Sequence, residues 1–430
     1  MYYKSLQHKA PKVSFKEAVI RGIAPDKGLY FPESITPLPP SFFENITSLS
    51  NESIALEVIQ QFIGNDIPIE ELKKIVSETL SFDFPTVKIE ESIYALELFH
   101  GPTMAFKDVG ARFMARCLSY FNRNQKNKVT VLVATSGDTG GAVADGFLGV
   151  KGVDVVILYP SGKVSDIQEK QLTTLGQNIT ALEVDGVFDD CQDMVKQAFL
   201  DVELQSQQLT SANSINVARW LPQMFYFFFA YKQLKSIGKE IVFSVPSGNF
   251  GNICAGMMAS RLGLPVAHFI GATNSNDTVP RFMKSGIYKQ MASIQTISNA
   301  MDVGNPSNFV RIRHLFNSDL QLLQKWFSSF SFSDQETKEA MKKLMREHTY
   351  LADPHGAVGY LGLKEYMKTN TDYLGVFLET AHPIKFIDVV KETTLCQPEV
   401  PPQISKVMDG KKSTIRIADY GDLKNFLQSR

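Results

Sequence analysis

The chain has 430 residues, with 44% hydrophobic and 21% charged side chains, which is ordinary for a globular enzyme of two or three domains. Its formal net charge of -1 gives no support to a nucleic-acid-binding or membrane-surface role. Four separated cysteines without a CxxC pair argue against a disulfide framework, and the first residues lack the apolar core of a secretory signal. We therefore expect a soluble, cytoplasmic protein.

The first 90 or so residues predict a mixed, largely helical region. Residues 14–21 (SFKEAVIR) predict a helix that opens with a capping box, because Ser14 is followed three residues later by Glu17. Helical patterns follow at 52–63 and 69–80.

From residue 93 the pattern changes to short apolar runs that alternate with helical stretches. The near-continuous hydrophobicity of these runs indicates strands covered on both faces, as in a parallel sheet with right-handed crossovers. The stretch 220–231 is short and contains Pro222, so it predicts a buried core helix rather than a membrane span. The runs predicted as strands lie at 129–134, 154–159, 179–184, 241–245, 266–272 and 374–379.

A lysine loop, residues 100–108 (HGPTMAFKD), precedes a stretch with apolar residues at helical spacing, which Asp108 can cap. Lys107 then lies at a helix N-terminus beside Phe106. Burial and the helix dipole lower the pKa of such an amine, and a neutral amine can attack an aldehyde. In isolation, an ordinary surface lysine remains the alternative.

Two glycine-rich turns each follow a predicted strand and precede a predicted helix. The first turn, residues 135–141 (TSGDTGG), offers backbone N–H groups and hydroxyls suited to a carboxylate. The second, residues 247–252 (SGNFGN) and here called the glycine turn, contains no Lys or Arg. If it binds a phosphate, backbone N–H groups and the helix dipole do most of the work. Ordinary tight turns are the alternative for both.

Two further polar segments are candidates for the same site. Residues 379–383 (ETAHP) end the last predicted strand, where either Glu379 or Thr380 can face a pyridine ring nitrogen, but alternation allows only one of them. Residues 213–219 (NSINVAR) offer amide, hydroxyl and guanidinium donors to a second anion, with a polar helix start as the alternative. The seven histidines show no ligand spacing, so no metal site is predicted.

In this order, the segments resemble the threonine synthase family of pyridoxal-phosphate (PLP) enzymes, within the tryptophan-synthase-β-like superfamily. The resemblance runs from about residue 2 to 390, and RGIAPDKGLYFP is similar to the longer bacterial and fungal type. It implies an α/β protein of PLP fold type II, with two open, mostly parallel α/β lobes after a mixed, largely helical N-terminal domain. The implied division is 1–90 for that domain, 91–390 for the catalytic region and 391–430 for a C-terminal tail.

The resemblance also assigns site residues. Lys107 would be the catalytic lysine that holds the cofactor as a Schiff base. Asp138 stands where many superfamily members carry Asn, and an ionised Asp cannot donate a hydrogen bond. The implied cofactor-binding residues are Lys107, Phe106, Asp138, Gly248, Asn249, Phe250, Gly251, Asn252 and Thr380. The implied substrate-binding residues are Thr135, Ser136, Gly137, Thr139, Asn213, Ser214 and Arg219.

The activity implied by the resemblance is a carbon–oxygen lyase reaction acting on phosphate, in threonine biosynthesis. It converts O-phospho-L-homoserine and water to L-threonine and phosphate. The alternatives are a phospho-lyase that releases 2-oxobutyrate, a serine/threonine dehydratase-type enzyme, against which the segment 213–219 counts, and a non-catalytic relative that keeps PLP. The expected partner is this small-molecule substrate, without nucleic acid or membrane, in a monomer or homodimer.

Overall fold

The structure is a computed structural model that describes residues 1–124, 128–204 and 207–430. Within these ranges the strands are β1 (Tyr2–Ser5), β2 (Val13–Ser14), β3 (Tyr30–Pro32), β4 (Thr86–Glu90), β5 (Ile93–Glu97), β6 (Val129–Ala134), β7 (Val153–Pro160), β8 (Ile179–Val184), β9 (Gln208–Ser211), β10 (Ile241–Pro246), β11 (Val266–Thr273), β12 (Phe327–Ser331), β13 (Leu374–Glu379) and β14 (Ile415–Ile417).

The helices alternate with these strands over most of the chain. They are α1 (Phe15–Arg21), α2 (Pro40–Asn45), α3 (Asn51–Ile63), α4 (Ile69–Thr79), α5 (Lys107–Asn122), α6 (Asp138–Phe147), α7 (Asp166–Thr173), α8 (Phe188–Leu200), α9 (Val217–Trp220), α10 (Phe225–Leu234), α11 (Gly251–Arg261), α12 (Thr278–Ser285), α13 (Phe309–Leu315), α14 (Leu320–Trp326), α15 (Asp334–His348), α16 (Pro354–Met367), α17 (Ile387–Thr394), α18 (Pro402–Met408) and α19 (Tyr420–Gln428).

The N-terminal region is mixed, as predicted. The capping box at the start of α1 is present, because the Ser14 side chain accepts from the backbone of Glu17 and the Glu17 side chain accepts from the backbone of Ser14. Helices α3 and α4 confirm the helical patterns at 52–63 and 69–80. Strand β1 also pairs antiparallel with β2 and β3, in a three-stranded N-terminal sheet that the sequence pattern did not predict.

Two larger sheets make up the rest of the fold. Among the described residues, the first of them has five strands in the order β14-β8-β7-β6-β9 and is here called the small sheet. The second has six strands in the order β12-β11-β10-β13-β5-β4 and is here called the large sheet. Their strand pairs are parallel, apart from the antiparallel pair of β4 and β5. All six predicted runs are strands, so the prediction of two open, mostly parallel α/β lobes is confirmed.

Burial explains why these runs read as continuous apolar stretches. Every residue of β10 and of β13 is buried, because helices cover both faces of the large sheet. The stretch 220–231 lies in α9, a short 3-10 turn and α10, and its phenylalanines are fully buried. The predicted core helix is therefore confirmed. Among the helices of the described residues, none has the length and apolar character that crossing a membrane requires.

Residues 391–430, expected to form a tail, contain regular structure. Strand β14 pairs in parallel with β8, with Ile415 opposite Leu182, and so forms an edge of the small sheet. Helix α19 packs against α8, and Leu423 and Leu427 are fully buried there. The division of the chain into domains at residues 90 and 390 stays a prediction.

The parallel topology fixes where a site can form. Residue Thr135 directly follows β6, Ser247 follows β10 and Thr380 follows β13. Because ligands in open α/β folds bind beyond the carboxyl ends of parallel strands, three of the segments singled out in the sequence lie where a ligand is expected.

Candidate active site

One cavity gathers nearly all of the predicted site residues. The predicted residues absent from its wall are Thr135 and Gly137. Those that line it are Phe106, Lys107, Ser136, Asp138, Thr139, Asn213, Ser214, Arg219, Gly248, Asn249, Phe250, Gly251, Asn252 and Thr380.

Lys107 lies at a helix N-terminus, as predicted, but it is itself the first residue of α5. Its loop is fastened to the end of β13, since the N–H of Phe106 donates to the carbonyl of Thr380 at 2.9 Å. Met104 turns the chain there in a left-handed conformation (φ 59°) that is rare for a non-glycine residue. Lys107 and Thr380 therefore face one cavity although they lie 273 positions apart in the sequence (380 minus 107).

The environment of Lys107 favours its neutral form. The side chain is accessible only in part, and its Nζ lies 5.5 Å from the centroid of the Phe106 ring. Burial lowers the pKa of Lys107 to about 8; nearby Asp138 opposes that shift, while Lys385 and Arg219 add to it. At this pKa roughly a tenth of the amine is unprotonated at pH 7, far more than for an ordinary lysine, and the unprotonated form is the one that attacks a carbonyl carbon.

Asp108 does not cap α5, so that prediction is wrong. The helix already begins at Lys107, and the Asp108 carboxyl group turns back to accept hydrogen bonds from the backbone and hydroxyl of Thr103. Burial raises the pKa of Asp108 to about 6, and the bonds from Thr103 oppose that shift. Its role in the structure is to fix the lysine loop.

The glycine turn fits a phosphate. The side chains of its two asparagines hydrogen-bond to neighbouring backbone groups. Asn249 Oδ1 accepts from the N–H of Ser307 at 3.3 Å, and Asn252 Nδ2 donates to the carbonyl of Pro246 at 2.8 Å. The N–H groups of Asn249, Phe250 and Gly251 donate to no acceptor among the described residues. They lie at the N-terminus of α11, where an anion is stabilised without a cationic side chain.

The wall above the glycine turn leaves room for backbone only. A Cβ atom at Gly248 would lie 2.8 Å from both the Ala300 carbonyl oxygen and the Met301 Cα. Gly248 is therefore the residue that allows the turn and the 300–303 segment to approach each other closely.

Thr380 and the adjacent Glu379 point their side chains into different surroundings. Thr380 lines the cavity, and its hydroxyl makes no hydrogen bond to any part of the chain that is described. Glu379 is fully buried on the other side of β13, where its Oε1 accepts from the N–H of Asp353 at 2.6 Å. Thr380 is thus the residue of this pair that can meet a ring nitrogen.

The loop after β6 presents some of its predicted residues to the cavity and uses others internally. Ser136, Asp138 and Thr139 line the wall. The Thr135 hydroxyl oxygen accepts from the N–H groups of Gly137 and Gly140 at 2.9 and 2.8 Å, and so it shapes the turn. Gly137 faces Gln168, whose side chain an added Cβ would approach to 2.4 Å. Substrate contact by Thr135 and Gly137 stays a prediction.

The segment 213–219 contributes a buried guanidinium to the cavity wall. Arg219 Nη1 donates to the carbonyl of Ala212 at 2.7 Å, while Nε has no partner within the described ranges. Burial lowers the pKa of Arg219 to about 10, which leaves it charged at neutral pH. Asn213 Nδ2 donates to the carbonyl of Ala134 at 2.9 Å, and Ser214 Oγ accepts from Asn308 at 2.9 Å.

Sequence reasoning weighed Glu379 only as an alternative to Thr380 and missed the group that it forms behind the cavity. This group, here called the histidine relay, consists of Glu379, Asp353 and His355. His355 lines the cavity, with its Nδ1 2.6 Å from Asp353 Oδ1 and its Nε2 accepting from the N–H of Ala300 at 3.2 Å. Its tautomer therefore carries the proton on Nδ1. The relay fixes the segment that lies against Gly248.

Two buried oxygens of this relay, Glu379 Oε2 and Asp353 Oδ2, lack hydrogen-bond partners among the described atoms. Burial, followed by repulsion from Asp353, raises the pKa of Glu379 well above its usual range. The protonated Glu379 can donate to Asp353, which gives both oxygens a partner. A sequence signal for the relay existed only in Asp353, which precedes Pro354 and caps α16.

Lys385 was also missed, although it lies two residues beyond the ETAHP segment. It is fully buried, and its Nζ lies 2.6 Å from Asp138 Oδ1.

No group of three or more potential metal ligands occurs among the residues that the structure describes.

Comparison with protein families matches almost the whole chain. The family model described as "Threonine synthase N terminus" matches residues 2–80, "Pyridoxal-phosphate dependent enzyme" matches 78–373, and "Threonine synthase, C-terminal" matches 356–427. The chain belongs to the threonine synthase family.

Individual relatives agree with this assignment. The threonine synthase of Buchnera aphidicola (subspecies Baizongia pistaciae) is 45% identical over 400 residues, which cover 92% of each chain. The crystal structure of threonine synthase from Escherichia coli matches with a TM-score of 0.94 at 40% identity, over 100% of both chains. The PLP-bound threonine synthase from Brucella melitensis matches with a TM-score of 0.92 at 34% identity, over 100% of this chain and 99% of the other.

These findings confirm the predicted fold type II architecture, the predicted PLP cofactor and the predicted function as a PLP-dependent threonine synthase. They give no support to the phospho-lyase and dehydratase alternatives. The family resemblance stated from the sequence is likewise confirmed.

Proposed function

We propose that this cavity converts O-phospho-L-homoserine and water to L-threonine and phosphate, with Lys107 as the catalytic residue. The observation that carries the proposal is the meeting, in one cavity, of a lysine of lowered pKa, a phosphate-binding turn without cationic side chains and an unengaged hydroxyl at Thr380. The turn and Thr380 suit the two ends of PLP, and Arg219 remains for a second anion.

When bound, PLP supplies an aldehyde for covalent attachment and a ring that delocalises carbanion charge. Lys107 Nζ is the amine placed to bond that aldehyde. The N–H groups of residues 248–252 hold the cofactor phosphate, supported by the side chains of Asn249 and Asn252. Thr380 offers the ring nitrogen a neutral hydroxyl rather than a carboxylate, which tempers carbanion stabilisation and suits elimination and replacement better than transamination.

The remaining wall residues hold the substrate. Ser136 and Thr139, with the loop that Thr135 and Gly137 shape, receive the substrate carboxylate, and Asn213, Ser214 and Arg219 receive its phosphate. The Lys107 amine would be the base that removes the Cα proton and helps to move a Cβ proton. Phosphate would leave Cγ with the C–O bonding pair towards Arg219, and one proton would be added at Cγ. The water oxygen would bond to Cβ and give up a proton to the departing phosphate, and a proton would return to Cα.

The proposal extends to the setting of the enzyme. The partner is the small phosphorylated amino acid rather than a nucleic acid or a membrane, and the protein acts as a monomer or homodimer in the cytoplasm. The near-neutral net charge and the dispersed cysteines support this setting. The three-part division at residues 90 and 390 is part of the same proposal and is supported by the change of sequence pattern near residue 93.

The test is incubation of the purified, PLP-loaded protein with O-phospho-L-homoserine, with threonine, 2-oxobutyrate and phosphate measured side by side. We expect threonine and phosphate in equal amounts. Release of phosphate with 2-oxobutyrate and no threonine would contradict the proposal in favour of a phospho-lyase. The Lys107→Ala variant is the control, and it should form neither organic product.

A further inference from the structure

Lys385 is a buried lysine to which the proposed function gives no task. It lies in the short turn Pro383–Phe386 that follows β13, and none of its side chain is exposed. Its Nζ contacts Asp138 Oδ1 at 2.6 Å and donates to the carbonyl of Thr103 at 2.9 Å. Because a buried charge is costly without a partner, Lys385 and Asp138 depend on each other.

Asp138 brings this ion pair to the cavity wall. It is the first residue of α6, and its Oδ1 also accepts from Gln168 Nε2 at 3.0 Å. Its second oxygen, Oδ2, makes no hydrogen bond to a residue in the described ranges. Burial alone would raise the pKa of Asp138, but the ammonium groups of Lys385 and Lys107 hold it well below its usual range. The cavity therefore contains an ionised carboxylate with a free acceptor oxygen.

The position of Lys385 joins three parts of the site. Its ammonium group contacts the lysine loop at Thr103 and the start of α6 at Asp138. Its backbone carbonyl accepts from the hydroxyl of Ser165, at the start of α7, at 2.9 Å. The charges thus alternate from Lys385 through Asp138 to Lys107. The other charged or titratable groups around them include Arg219, Asp108, His355 and His382, and His382 begins the turn that carries Lys385.

We propose that Lys385 is a positioning residue that keeps Asp138 an acceptor-only carboxylate aimed at a hydrogen-bond donor of the bound cofactor or substrate, and that it balances the charge of Asp138 beside Lys107. This inference rests on the proposed function, because it needs PLP in the cavity. An amide at position 138 would both donate and accept, whereas this pair presents one acceptor of fixed charge.

The test is a pH titration of the visible absorbance of the bound cofactor, without substrate, in four proteins: wild type, Lys385→Met, Asp138→Asn and the double variant. Loss of the Lys385 charge leaves Asp138 uncompensated, so the midpoint pH of the Lys107-linked absorbance change should rise. Loss of the Asp138 charge leaves Lys385 uncompensated, so the midpoint should fall. Each shift should be about 1 pH unit, the size that a neighbouring charge commonly produces.

The double variant removes both charges, and its midpoint should return close to that of the wild type. Lys385→Arg keeps the charge and should shift the midpoint less than Lys385→Met does. Lys391→Met is the matched control, because it removes a positive charge from an exposed position six residues further along the chain (391 minus 385). Its midpoint should not move.

Midpoints that are unchanged, or that move in the same direction in both single variants, would overturn the inference, because two opposite charges that both act on Lys107 must shift its midpoint in opposite directions when each is removed. If Lys385→Met does not accumulate as folded protein, Asp138→Asn carries the test alone, and an unmoved midpoint there is decisive. The outcome is separate from the proposed reaction: the shifts are read without substrate, and a protein that shifts as expected but forms no threonine would contradict only the proposed function.

Discussion

Arg219 and the glycine turn are two sets of hydrogen-bond donors of different kinds within one cavity. The turn offers backbone N–H groups at the start of α11, whereas Arg219 offers a buried guanidinium whose Nε has no partner in the described part of the chain. Each feature suits one of the two phosphates that a reaction between PLP and a phosphorylated substrate brings together. Substitution of Arg219 should therefore weaken binding of the substrate and leave binding of the cofactor unchanged.

We predict that Arg219→Ala raises the KM for O-phospho-L-homoserine about 10- to 100-fold, the range expected for one lost hydrogen bond to a charged group. The dissociation constant of PLP, measured by fluorescence titration, should change by less than about threefold. Such a change is a free-energy difference well below the roughly 1.4 kcal/mol that corresponds to tenfold. Arg281→Ala is the control, because Arg281 forms a partly exposed ion pair with Asp277. A weaker PLP complex with an unaltered KM would assign Arg219 to the cofactor instead.

We also predict that Lys107→Ala removes the visible absorbance of the bound cofactor, because no amine remains at the start of α5 to bond its aldehyde. In the wild type, borohydride reduction followed by mass spectrometry should find the cofactor mass on the peptide that contains Lys107. Lys151→Ala, at an exposed lysine, should keep both signals. Attachment of the cofactor to a different peptide would refute the assignment of Lys107.

The place of single residues at the cavity was predictable where the motif is local. Lys107, the glycine turn and Thr380 each stand in a short segment that predicted a place at the site, and each lines the cavity. Lys385 and His355 were not predictable, because their contacts are with distant residues: Lys385 with Asp138, and His355 with the backbone of Ala300. Pattern and spacing carry no information about such pairs.

At the scale of elements, the junction between β13 and α16 gathers the buried carboxyl group of Glu379 and the cap residue Asp353. A Cβ at Gly356 would lie 1.4 Å from Glu379 Oε2, so the helix must have glycine where it crosses this carboxyl group. Because the pKa of Glu379 is raised in the folded protein, the folded state binds one more proton than the unfolded state over part of the pH range. Stability then falls as the pH rises above the unfolded value.

We predict that Glu379→Gln lessens this loss, because the amide donates to Asp353 Oδ2 without titrating. Between pH 5 and pH 8 the free energy of unfolding of the wild type should fall relative to the variant, by at most about 1.4 kcal/mol for each pH unit below the folded pKa. Denaturant unfolding at both pH values measures the difference. Glu365→Gln, at a surface glutamate of α16, should follow the wild type, and equal pH dependence of all three proteins would contradict the prediction.

Elements were predictable where burial leaves a simple pattern. Strands such as β6 and β13, covered on both faces, appear as nearly continuous apolar runs, and their predicted bounds agree with the observed ones to the residue. Strands β2 and β14 are two and three residues long, and β14 has two exposed residues, so neither produces a recognisable alternation. The place of β14 follows from pairing with β8, far along the chain, and that of β2 follows from pairing with the nearby β1.

For the molecule as a whole, the C-terminal segment completes the lobe that carries the loop with Asp138. Strand β14 extends the small sheet, and α19 covers it, with Ile417, Leu423 and Leu427 in one apolar cluster with Leu182 and Val184 of β8. The hydrogen bond from Lys170 Nζ to the carbonyl of Met408 adds a polar contact between this segment and α7. The sequence indicated a tail there because the break at 397–403 obscured the short elements beyond it.

We predict that Leu423→Ala lowers the free energy of unfolding by about 2–5 kcal/mol, because it opens a cavity in this cluster. Leu423 is fully buried, whereas Leu395 is 91% exposed, so Leu395→Ala is a matched control for the same change of side chain. The control should stay within about 0.5 kcal/mol of the wild type. Denaturant unfolding of the PLP-loaded proteins measures both effects. If the two variants were equally stable, the C-terminal segment would be an appendage; the packing of α19 instead makes it a structural part of the catalytic lobe.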